Sequence, residues 1–130
     1  MDFTKLPSKG ISVFATYKEI FAIVSSILKL ILEYERKEYP KEYIFLINKT
    51  KDLSLNVLSC LSKGYNKFNS DDKAEEYILA RDYASSLESN LLLLIELNIL
   101  PKDETINQYV HLETKLSMFN GIIRKMEQKE

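Results

Sequence analysis

Apolar residues recur every three or four positions along four long segments of the chain. This is the period of an α-helix that buries one face, and it predicts helices throughout the chain rather than alternating strands. The predicted buried face of the first segment is Val13, Tyr17, Ile20, Val24, Ile27, Ile31 and Tyr34, and that of the second is Ile44, Ile47, Leu58 and Tyr65, with Leu46, Leu53, Val57, Leu61 and Phe68 beside them. The buried face of the third segment is Tyr77, Ala84, Leu87, Leu91, Leu94 and Asn98. The buried face of the fourth is Ile106, Tyr109, Leu112, Leu116, Phe119, Ile123 and Met126.

Proline, glycine and capping residues divide these segments. Ser12 is predicted to cap the first helix, which ends at Tyr39-Pro40 because proline disfavours helical geometry in the residue before it. Pro40 is predicted to open the second helix, and Ser70 or Asp71 to cap the third. The predicted helices span approximately residues 12–37, 40–67, 71–98 and 103–129, and residues 1–11 form an N-terminal tail.

The short connections predict an all-α, up-down-up-down antiparallel four-helix bundle, because they make consecutive helices antiparallel. The chain has 130 residues, of which 45% are hydrophobic, so residues 12–130 suffice for a single domain with a substantial core. Three glycines and three prolines are too few for a collagen-like or low-complexity chain, and too few for a many-stranded sandwich or barrel.

Two segments carry more apolar surface than one face of a helix needs. The first helix is apolar around most of its circumference between Phe21 and Leu32, and the third contains five consecutive apolar residues from Leu91 to Ile95. One interpretation is a thick core, and the other is a self-association surface that makes the protein a homo-oligomer. The candidate interface residues are Phe21, Ile23, Leu30, Leu92 and Leu93.

The charges are unevenly distributed between the two halves of the chain. Residues 1–67 carry eleven basic and seven acidic residues, whereas residues 68–130 carry seven basic and twelve acidic ones. The lysines around the second helix could contact phosphates, and the aromatic residues between them could stack on unpaired bases. Alternatively, the lysines are a solvated outer face and the aromatics are core, while the acidic half meets a basic partner. The lysines are Lys41, Lys49, Lys51, Lys63 and Lys67, and the aromatics are Tyr43, Phe45, Tyr65 and Phe68.

The residue types that carry most enzyme chemistry are scarce. One cysteine, Cys60, excludes an internal disulfide, and one histidine, His111, leaves no cluster for a zinc site. Cys60 is expected in the core and His111 at its rim. The carboxylates Glu76, Asp82, Glu88 and Glu96 of the third helix lack the Glu-x-x-His motifs of a di-metal bundle, and are expected on a solvated face.

The chain also lacks a glycine-rich phosphate loop, a paired-cysteine motif and a nucleophile elbow. We therefore expect a non-enzymatic protein without a cofactor or metal. The most apolar stretch, Ile20 to Leu28, is too short to cross a membrane, and no secretory signal is visible, so the expected location is cytoplasmic.

Five short motifs resemble a superfamily of four-helix bundles. Its members are the bacterial proteins encoded in ribosomal RNA intervening sequences and the accessory variability determinant (Avd) proteins of diversity-generating retroelements. Tyr39-Pro40-Lys41-Glu42-Tyr43 resembles the opening of the family's second helix, and Ser59-Cys60-Leu61-Ser62-Lys63-Gly64-Tyr65 resembles its close. Leu87 to Leu93 is similar to part of the family's third helix, and Glu96 to Leu100 is similar to the turn after it. Met118 to Arg124 is similar to the family's C-terminal helix.

The resemblance implies a subunit of a homopentamer. For the retroelement branch it implies a non-catalytic accessory that binds a reverse transcriptase and its template RNA or DNA, through a basic surface that here adds Arg124 and Lys125 to the lysines of the second helix. The intervening-sequence branch implies instead a protein-interaction scaffold without direct nucleic-acid binding. Uncharged residues such as Tyr43 and Ile95 replace arginines of the family, and Asn120-Gly121-Ile122 replaces a Gly-Gly-Trp that many retroelement accessories carry.

Overall fold

A computed structural model describes residues 1–7, 10–37 and 40–129, and this part of the chain contains four α-helices and no strand. Three short 3₁₀ segments precede or join them, at Phe3–Lys5, Gly10–Val13 and Lys41–Tyr43. None of the described helices is long and apolar enough to span a bilayer. The α-helices are α1 (Ala15–Glu35), α2 (Ile44–Asn66), α3 (Ser70–Glu96) and α4 (Lys102–Glu127).

The four helices form the up-down-up-down antiparallel bundle that the pattern predicts. Each helix packs against its neighbours in sequence, and α1 packs against α4 to close the bundle. Connections of three residues after α2 and five after α3 leave room only for direct reversal of the chain. α1 and α3 therefore lie on opposite sides of the bundle, as do α2 and α4. α1 packs less extensively against its two neighbours than α3 does.

Three of the helices begin differently from the prediction. Ser12 lies in a 3₁₀ segment and Phe14 precedes α1 without a side-chain cap, so the prediction for Ser12 was wrong. Pro40 has an extended backbone, with ψ of 133°, and precedes a 3₁₀ turn rather than opening α2. Asn69 caps α3 in place of Ser70 or Asp71, because its side-chain oxygen accepts a hydrogen bond from the backbone amide of Asp72 at 2.9 Å. Tyr39 lies outside the described residues.

A left-handed turn ends α3 two residues before the predicted position. Asn98 has a φ of +56°, a conformation that asparagine tolerates better than most residues. The amide of Ile99 then donates to the carbonyl of Leu94 at 2.9 Å, which is the bond that closes a helix in a Schellman motif.

The predicted buried faces form the core, with five exceptions. Residues at the centre of each predicted stripe, such as Val24, Val57, Leu87 and Phe119, are fully buried. Val13, Ile44 and Phe68 are instead 57%, 47% and 101% exposed, so the prediction that they are buried was wrong. The same prediction was wrong for Asn98 and Ile106, which are also exposed. Val13 and Phe68 lie outside the α-helices, and Ile44 is the first residue of α2.

α2 and α3 pack closely against each other at a glycine. Gly64 is buried, and a Cβ atom built on it would lie 2.5 Å from Cε1 of Tyr77. Further along the same pair, the hydroxyl of the fully buried Thr50 accepts a hydrogen bond from the side-chain amide of Asn90 at 3.2 Å. These two contacts set the register of α2 against α3.

The segment predicted as an N-terminal tail folds back onto α1. The Phe3 ring lies edge-on to the rings of Phe21 and Tyr17, with centroid distances of 5.2 and 6.4 Å. The carboxylate of Asp2 accepts a hydrogen bond from the backbone amide of Thr4 and so caps the short Phe3–Lys5 turn. Phe3 therefore covers part of the outer surface of α1.

Candidate functional surfaces

The predicted basic residues do not form one surface. Lys49 and Lys63 are exposed on α2, but they are fourteen positions apart, which corresponds to about 21 Å along the helix axis. Lys41 precedes α2 at one end of the bundle, and Lys67 follows it at the other. Arg124 and Lys125 lie at the end of α4, which α1 and α3 separate from α2. All four of these residues are exposed.

Lys51 is already occupied by an ion pair. Its ammonium group contacts the carboxylate of Glu35, the last residue of α1, and both side chains are about three-quarters covered. The pair joins the end of α1 to the third turn of α2. Lys51 therefore stabilises the bundle and is not presented to a ligand, unlike Lys49 two residues before it.

Lys73 plays a structural part that the sequence analysis did not assign. Its ammonium group donates to the carbonyl oxygens of Tyr65 at 2.6 Å and Gly64 at 3.2 Å, and lies 5.6 Å from the centre of the Tyr65 ring. It thus satisfies carbonyls at the end of α2, where the helix dipole also favours a cation. A lysine in the first turn after a short helix–helix connection is the sequence signal for this contact.

Two of the four aromatic residues proposed to stack on bases are covered by protein. The Tyr65 ring stacks on Phe14 at 5.6 Å, and its hydroxyl donates to the carbonyl of Gly10 at 3.2 Å. Tyr43 is half-buried against the core. Phe45 and Phe68 remain, at 66% and 101% exposure.

The five candidate interface residues have very different exposures. Leu92 and Leu93 are nearly half exposed, whereas Phe21 and Leu30 are partly buried on the opposite side of the bundle. Ile23 is only 7% exposed, which leaves little of its side chain for a partner. Leu92 and Leu93 are thus the stronger candidates.

Leu92 and Leu93 belong to a larger apolar surface. The hydrogen bond from Arg81 to Asn120 places Leu92, eleven residues further along α3, level with Tyr109 of α4. The Thr50–Asn90 bond likewise places the end of α3 level with the start of α2. Six side chains, each between 36% and 66% exposed, therefore surround the C-terminal half of α3, and we call them the α3 apolar surface: Phe45, Leu92, Leu93, Leu97, Ile106 and Val110.

The titratable groups of the core are held in their neutral forms. Burial raises the pKa of the Cys60 thiol, and the nearby carboxylate of Glu76 raises it further. Burial also raises the pKa of Tyr77 to about 12. Such a thiol is a weak nucleophile at neutral pH, because the thiolate is the reactive form.

The described residues contain no group of three or more histidine, cysteine or acidic side chains that could hold a metal ion. His111, expected at the rim of the core, is exposed on α4 beside a groove between α1 and α4.

Comparisons with models of known protein families, with curated proteins and with solved structures find no match to this chain.

Proposed function

We propose that the chain is a non-enzymatic interaction protein that assembles with copies of itself. The observation that carries the proposal is the α3 apolar surface, which one copy of the bundle leaves in water. Large exposed apolar patches mark interaction sites. Its residues are about half exposed, so covering each one contributes roughly 1 kcal/mol, and all six contribute on the order of 6 kcal/mol per copy.

The resemblance to the intervening-sequence and Avd proteins favours a ring. The resemblance implies five subunits in that ring. A closed ring needs two different, complementary surfaces on each subunit. The α3 apolar surface supplies one, and α1, on the opposite side, carries the partly buried Phe21 and Leu30. The proposal includes a cytoplasmic location, which the single free thiol of Cys60 favours.

Sedimentation or light scattering across the micromolar range tests self-assembly. We expect the wild-type chain to be an oligomer, and Leu93→Glu to dissociate it because the substitution places a charge in the apolar contact. Leu79→Glu is the matched control, since Leu79 is equally exposed on α3 but lies outside the α3 apolar surface. A wild-type chain that stays monomeric at every concentration would refute the proposal.

A second function, binding of RNA or DNA beside a reverse transcriptase, is favoured by the outer flank of α2. Lys49 and Lys63 are about four turns apart and project from nearly the same side of α2. Lys67 and the fully exposed Phe68 follow the helix. The flank could thus combine phosphate contacts with base stacking.

Electrophoretic mobility of a structured RNA at low and moderate salt tests this second function. We expect a shift that weakens with salt, and its loss when Lys49, Lys63 and Lys67 are together replaced by glutamate. The same substitution of Lys18, Lys29 and Lys102, which are exposed elsewhere, is the control for net charge. Absence of any shift at low salt excludes direct binding and leaves the interaction scaffold alone.

A further inference from the structure

A groove of about 410 Å³ lies between α1 and α4. Its apolar part is provided by Ala22 and Ile23 of α1, and polar side chains of both helices surround it. Among these is Gln108, whose side-chain oxygen is buried but has no hydrogen-bond partner in the described part of the chain. A buried amide oxygen without a donor is unfavourable, so this atom is suited to accept a hydrogen bond from a ligand.

The hydroxyl groups that line the groove are also acceptors. Ser26 donates its proton to the carbonyl of Ala22 at 3.1 Å, and Thr114 donates to the carbonyl of Val110 at 2.8 Å. A hydroxyl has one proton and two lone pairs, so each oxygen keeps the capacity to accept. Neither hydroxyl can donate to a ligand without breaking its bond within the helix.

Glu19 adds a carboxylate to this set. Its Oε2 lies 3.6 Å from the ammonium nitrogen of Lys115, which is beyond the length of a normal hydrogen bond. The carboxylate therefore has lone pairs available, and Lys115 is loosely held and 39% exposed. A ligand cation that approaches Glu19 would compete with Lys115.

We propose that this groove binds a guanidinium group carried on an aliphatic chain. A guanidinium has five donors and no acceptor, which complements Gln108, Ser26, Thr114 and Glu19. It is weakly hydrated, so it tolerates the apolar contact with the exposed Ala22 better than an ammonium group does. The inference does not depend on self-assembly or on nucleic-acid binding.

Titration of the isotope-labelled protein with agmatine, followed by nuclear magnetic resonance, tests the site. We expect saturable shifts at the side-chain amide of Gln108, and weaker binding of putrescine, in which a second ammonium group replaces the guanidinium on the same four-carbon chain. A peptide with one arginine, blocked at both ends, is the second arm. Tighter binding of the peptide identifies a protein side chain as the source of the group, and tighter binding of agmatine identifies a small molecule.

Substitutions in the groove shift the affinity for agmatine in opposite directions. Gln108→Leu removes the buried acceptor and weakens binding roughly tenfold, whereas Lys115→Met removes the competing cation and tightens binding several-fold. Glu19→Gln weakens binding. The matched controls are Asn107→Leu and Glu33→Gln, exposed neighbours on the same helices that do not line the groove.

Three results would overturn the inference. One is the absence of saturable shifts with either agmatine or the arginine peptide. Another is that putrescine binds as tightly as agmatine. The third is that Gln108→Leu and Lys115→Met both bind like the wild-type protein. Circular dichroism verifies that each variant is folded, and if Gln108→Leu is not, the opposite shifts expected for Glu19→Gln and Lys115→Met still test the site.

Discussion

Replacement of Gly64 by alanine tests the close packing of α2 on α3. An alanine in the middle of a helix is favoured over glycine by about 1 kcal/mol. At this position, however, the new Cβ would lie 2.5 and 2.7 Å from two ring carbons of Tyr77 and 3.2 Å from Cβ of Glu76. Overpacking costs about 1–3 kcal/mol, and two contacts this short with a buried ring place Gly64→Ala at the upper end of that range. After the gain in helix propensity, we expect the substitution to lower the free energy of unfolding by about 1–2 kcal/mol.

Urea denaturation followed by circular dichroism measures this difference, at one protein concentration for all variants because assembly also affects stability. Gly121→Ala is the control: Gly121 is exposed in α4, and its new Cβ would meet nothing within 4 Å, so stability should rise by about 0.5–1 kcal/mol. Tyr77→Leu should relieve the clash and make the two substitutions non-additive. A Gly64→Ala protein as stable as the wild type would refute the reasoning.

Three further predictions concern the core and its edge. Thr50→Val should destabilise the fold by about 1 kcal/mol in urea denaturation, because the amide of Asn90 loses its acceptor. Cys60 should react slowly with a thiol reagent such as 5,5′-dithiobis(2-nitrobenzoic acid) in the native protein and rapidly in urea, because the thiol is buried and its pKa is raised. Glu88→Gln should stabilise the protein at neutral pH, because burial and the charge of Glu113 raise the pKa of Glu88 in the folded state. The folded state then binds a proton at Glu88 more readily than the unfolded state does. The wild-type protein therefore loses folding stability as the pH rises above the ordinary glutamate pKa. The variant loses less, because glutamine does not ionise.

Each of these predictions has a matched comparison. Thr114→Val removes a hydroxyl with the same bond to its own helix but on an exposed face, so an equal effect there would contradict the role given to Thr50. Complete labelling of native Cys60 at the rate seen in urea would contradict its burial. Glu96→Gln changes the same charge on α3 at an exposed position, and an identical pH profile for the two variants would refute the assignment to Glu88.

The helices and the core could be predicted from local spacing, because burial of one face imposes the helical period on the sequence. The ends of the helices could not. Phe14 precedes α1 without a side-chain cap, although Ser12 nearby is the better capping residue by type. Ile44 has the right spacing for a buried position, but burial depends on how far the neighbouring helix extends. The ion pair of Lys51 with Glu35 shows that α1 ends beside the third turn of α2, so α1 has no residue level with Ile44.

The candidate surfaces were less accessible to sequence reasoning, because they depend on the register between helices. The pattern of apolar residues identified Leu92 and Leu93, but not that Ile106 of α4 lies beside them. Lysine spacing on α2 could not show that Lys51 pairs with α1, or that Lys73 satisfies the end of α2. These contacts join residues of different helices, and a single sequence carries no record of which helix faces which.

The weaker packing of α1 has a consequence for how the molecule opens. α2, α3 and α4 are joined by the more extensive contacts, so the lowest-energy partial opening detaches α1 and leaves the other three helices together. Backbone amides of α1 around Val24 should then exchange with deuterium sooner than those of α3 around Leu87, although both side chains are fully buried. A helix that can leave without unfolding the rest is also the one that could be exchanged between neighbouring molecules.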